Sequence, residues 1–402
     1  MKSRQLYIGG SVLFAAVYLH YGAATPFLPV WMQSRGFTSE QIGVLLAIPM
    51  FIKIVVLAPV ASLADMLRRT RDLTWVITAT AAVLLFSMHY VEEFAAMAAM
   101  TALFALFWDP IPVLADAYGV GAARDRGLDF GRMRVWASVA VVMSTLGAGW
   151  WLQRIGIEWT VWLASALLAA PLLILPLLPS DRQFAGARRA VQGEWRMLLK
   201  DRALVSAIAS VSCVVGSHAL VMNFSSIQWT HAKIPESVVG QLWATSIVSE
   251  LAVLWFGRRL LGHRNPVVLI LVGAIASTLR WTMMAWGLTG PLLFVAQLMN
   301  GISIIAPILG IMLLIEQRVA PHLIASAQGL YSSSWSAVMA LATVCCGPLS
   351  RHFDVGAYLA MSVLAVIGGL IGMVAWRHCI RSGSYLPVSA APGALPSNDS
   401  CS

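Results

Sequence analysis

Charge is what this chain most lacks: Asp, Glu, Lys and Arg make up 11% of its 402 residues, against about a quarter in a soluble domain. With so few ionic groups there is no water-facing surface of the ordinary kind, which excludes a conventional soluble fold. Cysteine is scarce too. The five residues, Cys213, Cys345, Cys346, Cys379 and Cys401, show no spacing suited to a disulfide framework or a metal cluster. The adjacent pair Cys345–Cys346 lies inside an apolar run and reads as packing. No catalytic triad, HExxH pattern or glycine-rich phosphate loop is present, so an enzyme has no support, and neither a metal nor a cofactor is expected.

What the chain has in abundance is apolar sequence, 59% of it, gathered in long blocks. About 20 apolar residues span a bilayer, and lipid offers no hydrogen-bond partners, so such blocks must be helices or closed barrels. These blocks do not alternate, so they are helices. The pattern predicts spans at 5–32, 39–64, 72–91, 94–118, 131–152, 159–179, 203–228, 237–257, 266–287, 291–314, 323–347 and 355–376. The basic start, Met1–Arg4, resembles a signal peptide, but the apolar run behind it reaches Trp31 and is too long for one. It reads as a retained first helix.

Twenty of the 27 Lys and Arg fall in segments on one side of these spans, and four (Arg35, Arg154, Lys233, Arg351) on the other. Basic residues accumulate in cytoplasmic loops, so both termini are predicted inside and the number of spans is even. The net charge of +9 is thereby a topology signal, and nucleic acid is not an expected partner. The longest inner loop falls between the sixth and seventh spans. The expected organisation is an N-terminal six-helix bundle over 1–180, a cytoplasmic central loop over 181–202, a C-terminal six-helix bundle over 203–378 and a disordered cytoplasmic tail over 379–402, rich in Ser, Pro, Ala and Gly. Two such bundles suit a transporter with its site near the midplane between them.

The loop after the second span reads Ala61-Ser-Leu-Ala-Asp65-Met-Leu-Arg68-Arg69-Thr-Arg71. It resembles the Gly-x-x-x-Asp-Arg-x-Gly-Arg-Arg signature of the major facilitator superfamily, with Ala61 in place of the Gly and Met66 in place of the first Arg. Other segments are more specific. They are Tyr21-Gly22-x-x-x-Pro26-Phe27-x-x-Val30-Trp31, the stretch Leu128–Trp136, His218-Ala219 with Phe224-Ser225, Glu250, and Arg280-Trp281. Together these resemble the phenylpropionate permease family, relatives of lactose permease and the nucleoside–proton symporters. The resemblance implies an all-α membrane protein of the superfamily fold, with twelve transmembrane helices in two bundles. It also implies a monomer in a bacterial inner membrane that takes up a small organic solute with protons. Asp65, Arg68 and Arg69 would form the gating motif.

Charged side chains inside a bilayer cost at least about 2.5–3.5 kcal/mol each and face partners or a cavity, which makes them candidate functional groups. Asp109 and Asp116 are nearly two turns apart in span four and share a face. Pro110 and Pro112 between them remove backbone donors, so this helix is expected to be distorted. Arg134 opens span five at the depth of Asp116, and a bidentate pair is feasible. The resemblance makes the two a substrate site, since lactose permease has an acid and an Arg at matching positions. Lys53 lies at the depth of Asp109 and is expected to neutralise it; left unpaired, Asp109 becomes a candidate proton carrier. Glu250, mid-span in the eighth helix, is the candidate proton-coupling carboxyl, because a low-dielectric site favours the protonated acid. The resemblance gives it Arg280 as a partner. The two lie about seven and fourteen residues from their inner ends, an offset of roughly 10 Å at 1.5 Å per residue.

His218 is a candidate proton site or substrate donor, on the strength of the resemblance, whereas His20 reads as structural. Span ten departs from the family. Its stretch Asn300–Pro307 has no titratable group where the relatives carry His, although Asn300, Ser303 and Pro307 share a face that can line a cavity. Tyr21, Thr25 and Leu28 form a stripe on span one, as do Gln328, Ser332 and Trp335 on span eleven. Trp108 and Trp136 are placed to stack on a planar substrate, and most other Trp, such as Trp75, Trp159 and Trp376, fit the membrane interface. The expected substrate is an aromatic carboxylate; a nucleoside, a sugar or drug efflux are the alternatives.

Overall fold

Helices account for every regular element among the described residues, as lipid requires of backbone that cannot hydrogen-bond to solvent. A computed structural model describes residues 3–67, 70–178, 195–261, 265–320 and 323–381, without the side chains of 3–4, 54–67, 70, 122, 124–126, 195–196, 257–261, 325 and 381. The elements run α1 (Ser3–Ser34), α2 (Ser39–Leu67), α3 (Thr70–Ser87), α4 (Phe94–Trp108), α5 (Pro110–Arg126), α6 (Phe130–Ile155), α7 (Thr160–Ile174), α8 (Trp195–Leu198), α9 (Arg202–Gly216), α10 (Ala219–His231), α11 (Glu236–Leu261), α12 (Pro266–Met284), α13 (Pro291–Leu298), α14 (Ala306–Arg318), α15 (Ile324–Phe353) and α16 (Tyr358–Arg381). Ten stretches among the described residues are long and apolar enough to cross a membrane; the last of them, Ser326–Ile380, holds both α15 and α16. With the 29-residue α2 added, the count is compatible with twelve passages.

Three passages expected as single helices are broken, each beside a polar residue. The fourth stops at Asp109, whose amide still bonds the Ala105 carbonyl at 3.0 Å, and restarts as α5 at Pro110. The seventh turns at Ser217–His218 between α9 and α10. The tenth passes from α13 to α14 through a π-helical turn, Gly301–Ile305, the kind of bulge that interrupts helices at functional sites. The other ends follow local rules. Asp129 caps α6 by accepting from the Arg132 amide at 3.1 Å, and Asn265 caps α12 ahead of Pro266 at its first turn. These match the preferences for Asn and Asp at the cap and Pro just inside it.

Helices α1–α7 pack on one another, as do α9–α16, with α1 on α6 and α7 in the first set and α9 on α16 and α15 in the second. Between the sets, α2 crosses α15, α6 crosses α11, and α1 meets α10. Glycines permit the first two crossings. A Cβ on Gly149 would sit 2.5 Å from the Glu236 carbonyl oxygen, and one on Gly347 would sit 2.7 Å from that of Ser39. Small residues at crossings let helix backbones approach closely in membranes. Both crossings lie toward the end of the bundle that carries few basic residues. There Arg351 and Glu40 also join α15 to α2, at 2.8 Å. At the opposite end, Asp201 caps α9 through the Ala203 and Leu204 amides and pairs with Arg318 at 2.9 Å. Arg68 and Arg69 of the gating signature lie outside the described residues, as does the side chain of Asp65.

Candidate functional site

Two polar clusters stand inside the helix bundle, one in each set of helices. In the first, Arg134 at the start of α6 donates from Nε to Asp116 Oδ1 at 3.0 Å and from Nη2 to the Tyr18 hydroxyl at 2.7 Å. Its guanidinium also lies over the Tyr18 ring, 4.3 Å from the centroid. The two partners of the ion pair keep 32% and 39% of their side-chain surface exposed, so the pair stands at an opening. Tyr18 stacks on Tyr21 at 5.4 Å. Along α1, Tyr18, Tyr21, Thr25 and Leu28 are all half-buried and lie on one helical face.

The second cluster is deeper. Arg280 on α12 is wholly buried. It donates from Nη1 to Asn300 Oδ1 and, at 3.4 Å, to Ser303 Oγ, and from Nη2 to Gln297 Oε1 at 2.8 Å. Asn300 in turn donates from Nδ2 to Glu250 Oε1 at 2.6 Å. The acid and the arginine therefore do not touch; one side-chain amide joins them. The broken tenth passage makes this possible. Gly301 lets its backbone lie against α11, where a Cβ would collide with the Ser249 carbonyl oxygen, and its amide bonds Ser249 Oγ at 3.0 Å. Asn300 is thereby seated beside Glu250. Glu250, Arg280, Asn300, Gln297, Trp229 and Trp243 border a small cavity of ≈ 30 Å³.

His218 is fully buried behind this cluster. Its Nε2 meets Ser303 Oγ at 3.1 Å, its Nδ1 meets the Val214 carbonyl at 3.1 Å, and its ring stands edge-on to Trp281 at 4.8 Å. It reaches Arg280 through Ser303 and is not among the residues bordering that cavity. His20 is buried against Trp108 at 4.3 Å, with Nδ1 unpartnered among the described residues. Trp108, expected to stack on substrate, is instead buried under Tyr21 and Phe104. Trp136 follows Arg134 by two residues, about 200° around the helix, and half its surface is exposed, so it points away from the pair. Asp109 and Lys53 form no ion pair, contrary to expectation: Asp109 Oδ2 is buried without a hydrogen bond, and Lys53 Nζ lies 5.8 Å from the centroid of the Trp335 ring on α15. Gln328 is exposed on α15.

Tyr18 and Gln297 are site residues that a reading of single positions passes over. Tyr18 lies one turn before Tyr21 and Gln297 one turn before Asn300, so extending each polar stripe by three residues reaches them.

The family model described as "MFS_1 like family" matches residues 11–358. The chain belongs to that family. Two curated bacterial relatives agree. One is the "Probable 3-phenylpropionic acid transporter" of Escherichia coli (strain K12), 27% identical over 363 residues, which cover 87% of this chain and 92% of the relative. The other is the "Maltose permease" of Geobacillus stearothermophilus, 24% identical over 371 residues, with 90% and 92% covered. Among solved structures, the nucleoside transporter NupG superposes with a TM-score of 0.81 at 17% identity, covering 94% of this chain and 100% of that one. A bacterial homologue of the lysosomal transporter Spinster, inward-facing and unoccupied, reaches 0.75 at 12% identity, covering 94% and 98%. The fold is that of the major facilitator superfamily, and the protein is a multi-pass membrane transporter, not an enzyme.

Proposed function

We propose that the protein is a proton-coupled importer of a small aromatic carboxylate, working by alternating access between its two bundles. The observation that carries this reading is the Glu250–Asn300–Arg280 relay beside a cavity between polar and Trp walls. A carboxyl held next to an arginine through a single amide gains or loses that arginine's influence with a small movement of one side chain. That is what a proton-coupling group requires.

The charge inventory points the same way. The described part of the membrane interior carries three cations, Lys53, Arg134 and Arg280, and three carboxyls, Asp109, Asp116 and Glu250. Fully ionised, the empty transporter is neutral inside. A carboxylate arriving alone would leave one net negative charge in the bilayer, which costs upwards of about 2.5 kcal/mol. A carboxylate arriving with one proton leaves none, so crossing favours the doubly loaded state. The Escherichia coli relative, named for an aromatic carboxylic acid, favours this substrate class over the sugar of the maltose permease.

With the termini in the cytoplasm, the orientation the basic loops favour, the glycine-lined crossings close the outer face. The reading includes a monomer acting in the bacterial inner membrane. Purified protein in proteoliposomes tests it. 3-Phenylpropionate added outside is expected to alkalinise the external medium, whereas maltose and a nucleoside are not. Glu250→Gln, a mimic of the protonated acid, is expected to keep substrate exchange and lose uphill accumulation. Uptake of 3-phenylpropionate with no proton movement would overturn the coupling, and a response only to maltose or the nucleoside would overturn the substrate class.

A further inference from the structure

Of the three intramembrane cations, two are committed. Arg134 donates to Asp116 and Tyr18, and Arg280 is buried among Asn300, Gln297 and Ser303. Lys53 is different. Among the described residues its ammonium makes no ion pair within 4 Å and no hydrogen bond; it lies 5.8 Å from the centroid of the Trp335 ring and acts on Asp109 only through space. The carboxyl at matching depth, Asp109, keeps Oδ2 buried without a hydrogen bond. A cation inside a membrane ordinarily has a fixed partner or marks the path of a charged solute. An aromatic face offers an ammonium only about 0.5–2 kcal/mol, which leaves Lys53 without a counter-charge in direct contact.

Its position is equally specific. Lys53 belongs to α2 and Trp335 to α15, so the contact joins the two bundles. One turn outward along α2, Met50 already touches Thr343 of α15, with sulfur and hydroxyl 3.9 Å apart, and beyond that lies the close crossing of Gly43 and Gly347. The Lys53–Trp335 contact therefore lies on the midplane side of the closed crossing. Both side chains are half-buried, so both retain surface that a ligand can cover.

We infer that Lys53 and Trp335 form the subsite that recognises an aromatic carboxylate, the ammonium taking the carboxylate and the indole the ring. This rests on the transport reading above and names the groups that select its substrate. Because the two residues come from different bundles, a ligand bridging them ties its own binding to the relative position of the bundles, which a site within one bundle cannot do.

The test compares 3-phenylpropionate with the uncharged 3-phenylpropionamide, measuring half-saturation by counterflow in proteoliposomes. Lys53→Gln is expected to weaken the acid about tenfold, which is about 1.4 kcal/mol, and to leave the amide unchanged. Lys53→Arg is expected to retain the preference for the acid. Trp335→Leu is expected to weaken both probes. If Lys53→Gln weakens both probes alike, or neither, the subsite is wrong. Should Lys53→Gln fail to fold, the other two variants decide: loss of the preference in Lys53→Arg, or unchanged affinity in Trp335→Leu, overturns the assignment. If the wild-type protein takes up neither probe, the proposed substrate class fails and the subsite with it. If it takes up the acid and Lys53→Gln does so equally well, only the subsite fails.

Discussion

Asn300 is the sole side chain bridging Glu250 and Arg280 among the described residues, so replacing it isolates the link between them. Asn300→Ala removes the 2.6 Å donation to Glu250 and the acceptor for Arg280 Nη1. Arg280 keeps Gln297 at 2.8 Å and Ser303 at 3.4 Å, so the fold is expected to survive. A hydrogen bond to a charged group contributes about 1.5–3 kcal/mol. If the bridge carries the communication, a double-mutant cycle of Asn300→Ala with Glu250→Gln should show a coupling of that order. The measurement is the initial rate of proton-driven 3-phenylpropionate uptake in proteoliposomes. Each single variant should fall roughly tenfold or more, the equivalent of about 1.4 kcal/mol, and the double variant no further than the worse single one. Effects that simply multiply, to within about twofold, would show two independent residues and refute the relay.

Exchanging the charges of Asp116 and Arg134 should not restore transport, because a carboxylate at 134 can neither donate to Tyr18 nor lie over its ring as Arg134 does; full recovery would make the pair purely structural. Gly149→Trp should force α6 from α11, given the 2.5 Å approach to the Glu236 carbonyl. A single cysteine at position 28, in a protein without the native cysteines, should then react about tenfold faster with an impermeant external maleimide, an apparent shift of about 1.4 kcal/mol; an unchanged rate would mean that this crossing is not the outer closure. Burial disfavours the charged Asp201 carboxyl, but Arg318 and the Leu204 and Ala203 amides outweigh it, so its pKa is below the ordinary value. A depressed folded-state pKa gives stability above the unfolded value that is lost as pH falls through the folded one. Thermal unfolding in detergent should accordingly show wild type more stable than Asp201→Asn near neutrality, with the gap closing below about pH 4; a gap independent of pH would contradict the assignment.

The sequence by itself determined the membrane class, the approximate places of the long apolar helices, and the residues able to carry charge into the bilayer. These are local properties: apolar run length is set by bilayer thickness, and an ionisable residue within a run is visible wherever it faces. Depth also reads locally, at a fixed rise per residue, which is why Asp116 and Arg134 match from their distances to the loop between them. Partnership across helices is another matter, because it depends on rotation and on how closely two backbones approach. Lys53 and Asp109 match in depth, yet Lys53 turns to Trp335 of the other bundle. Glu250 and Arg280 are mismatched by two turns, yet a π turn and the missing side chain of Gly301 bring Asn300 between them. Whether a buried polar group finds a partner is decided by packing between helices, and that information is held by the tertiary structure alone.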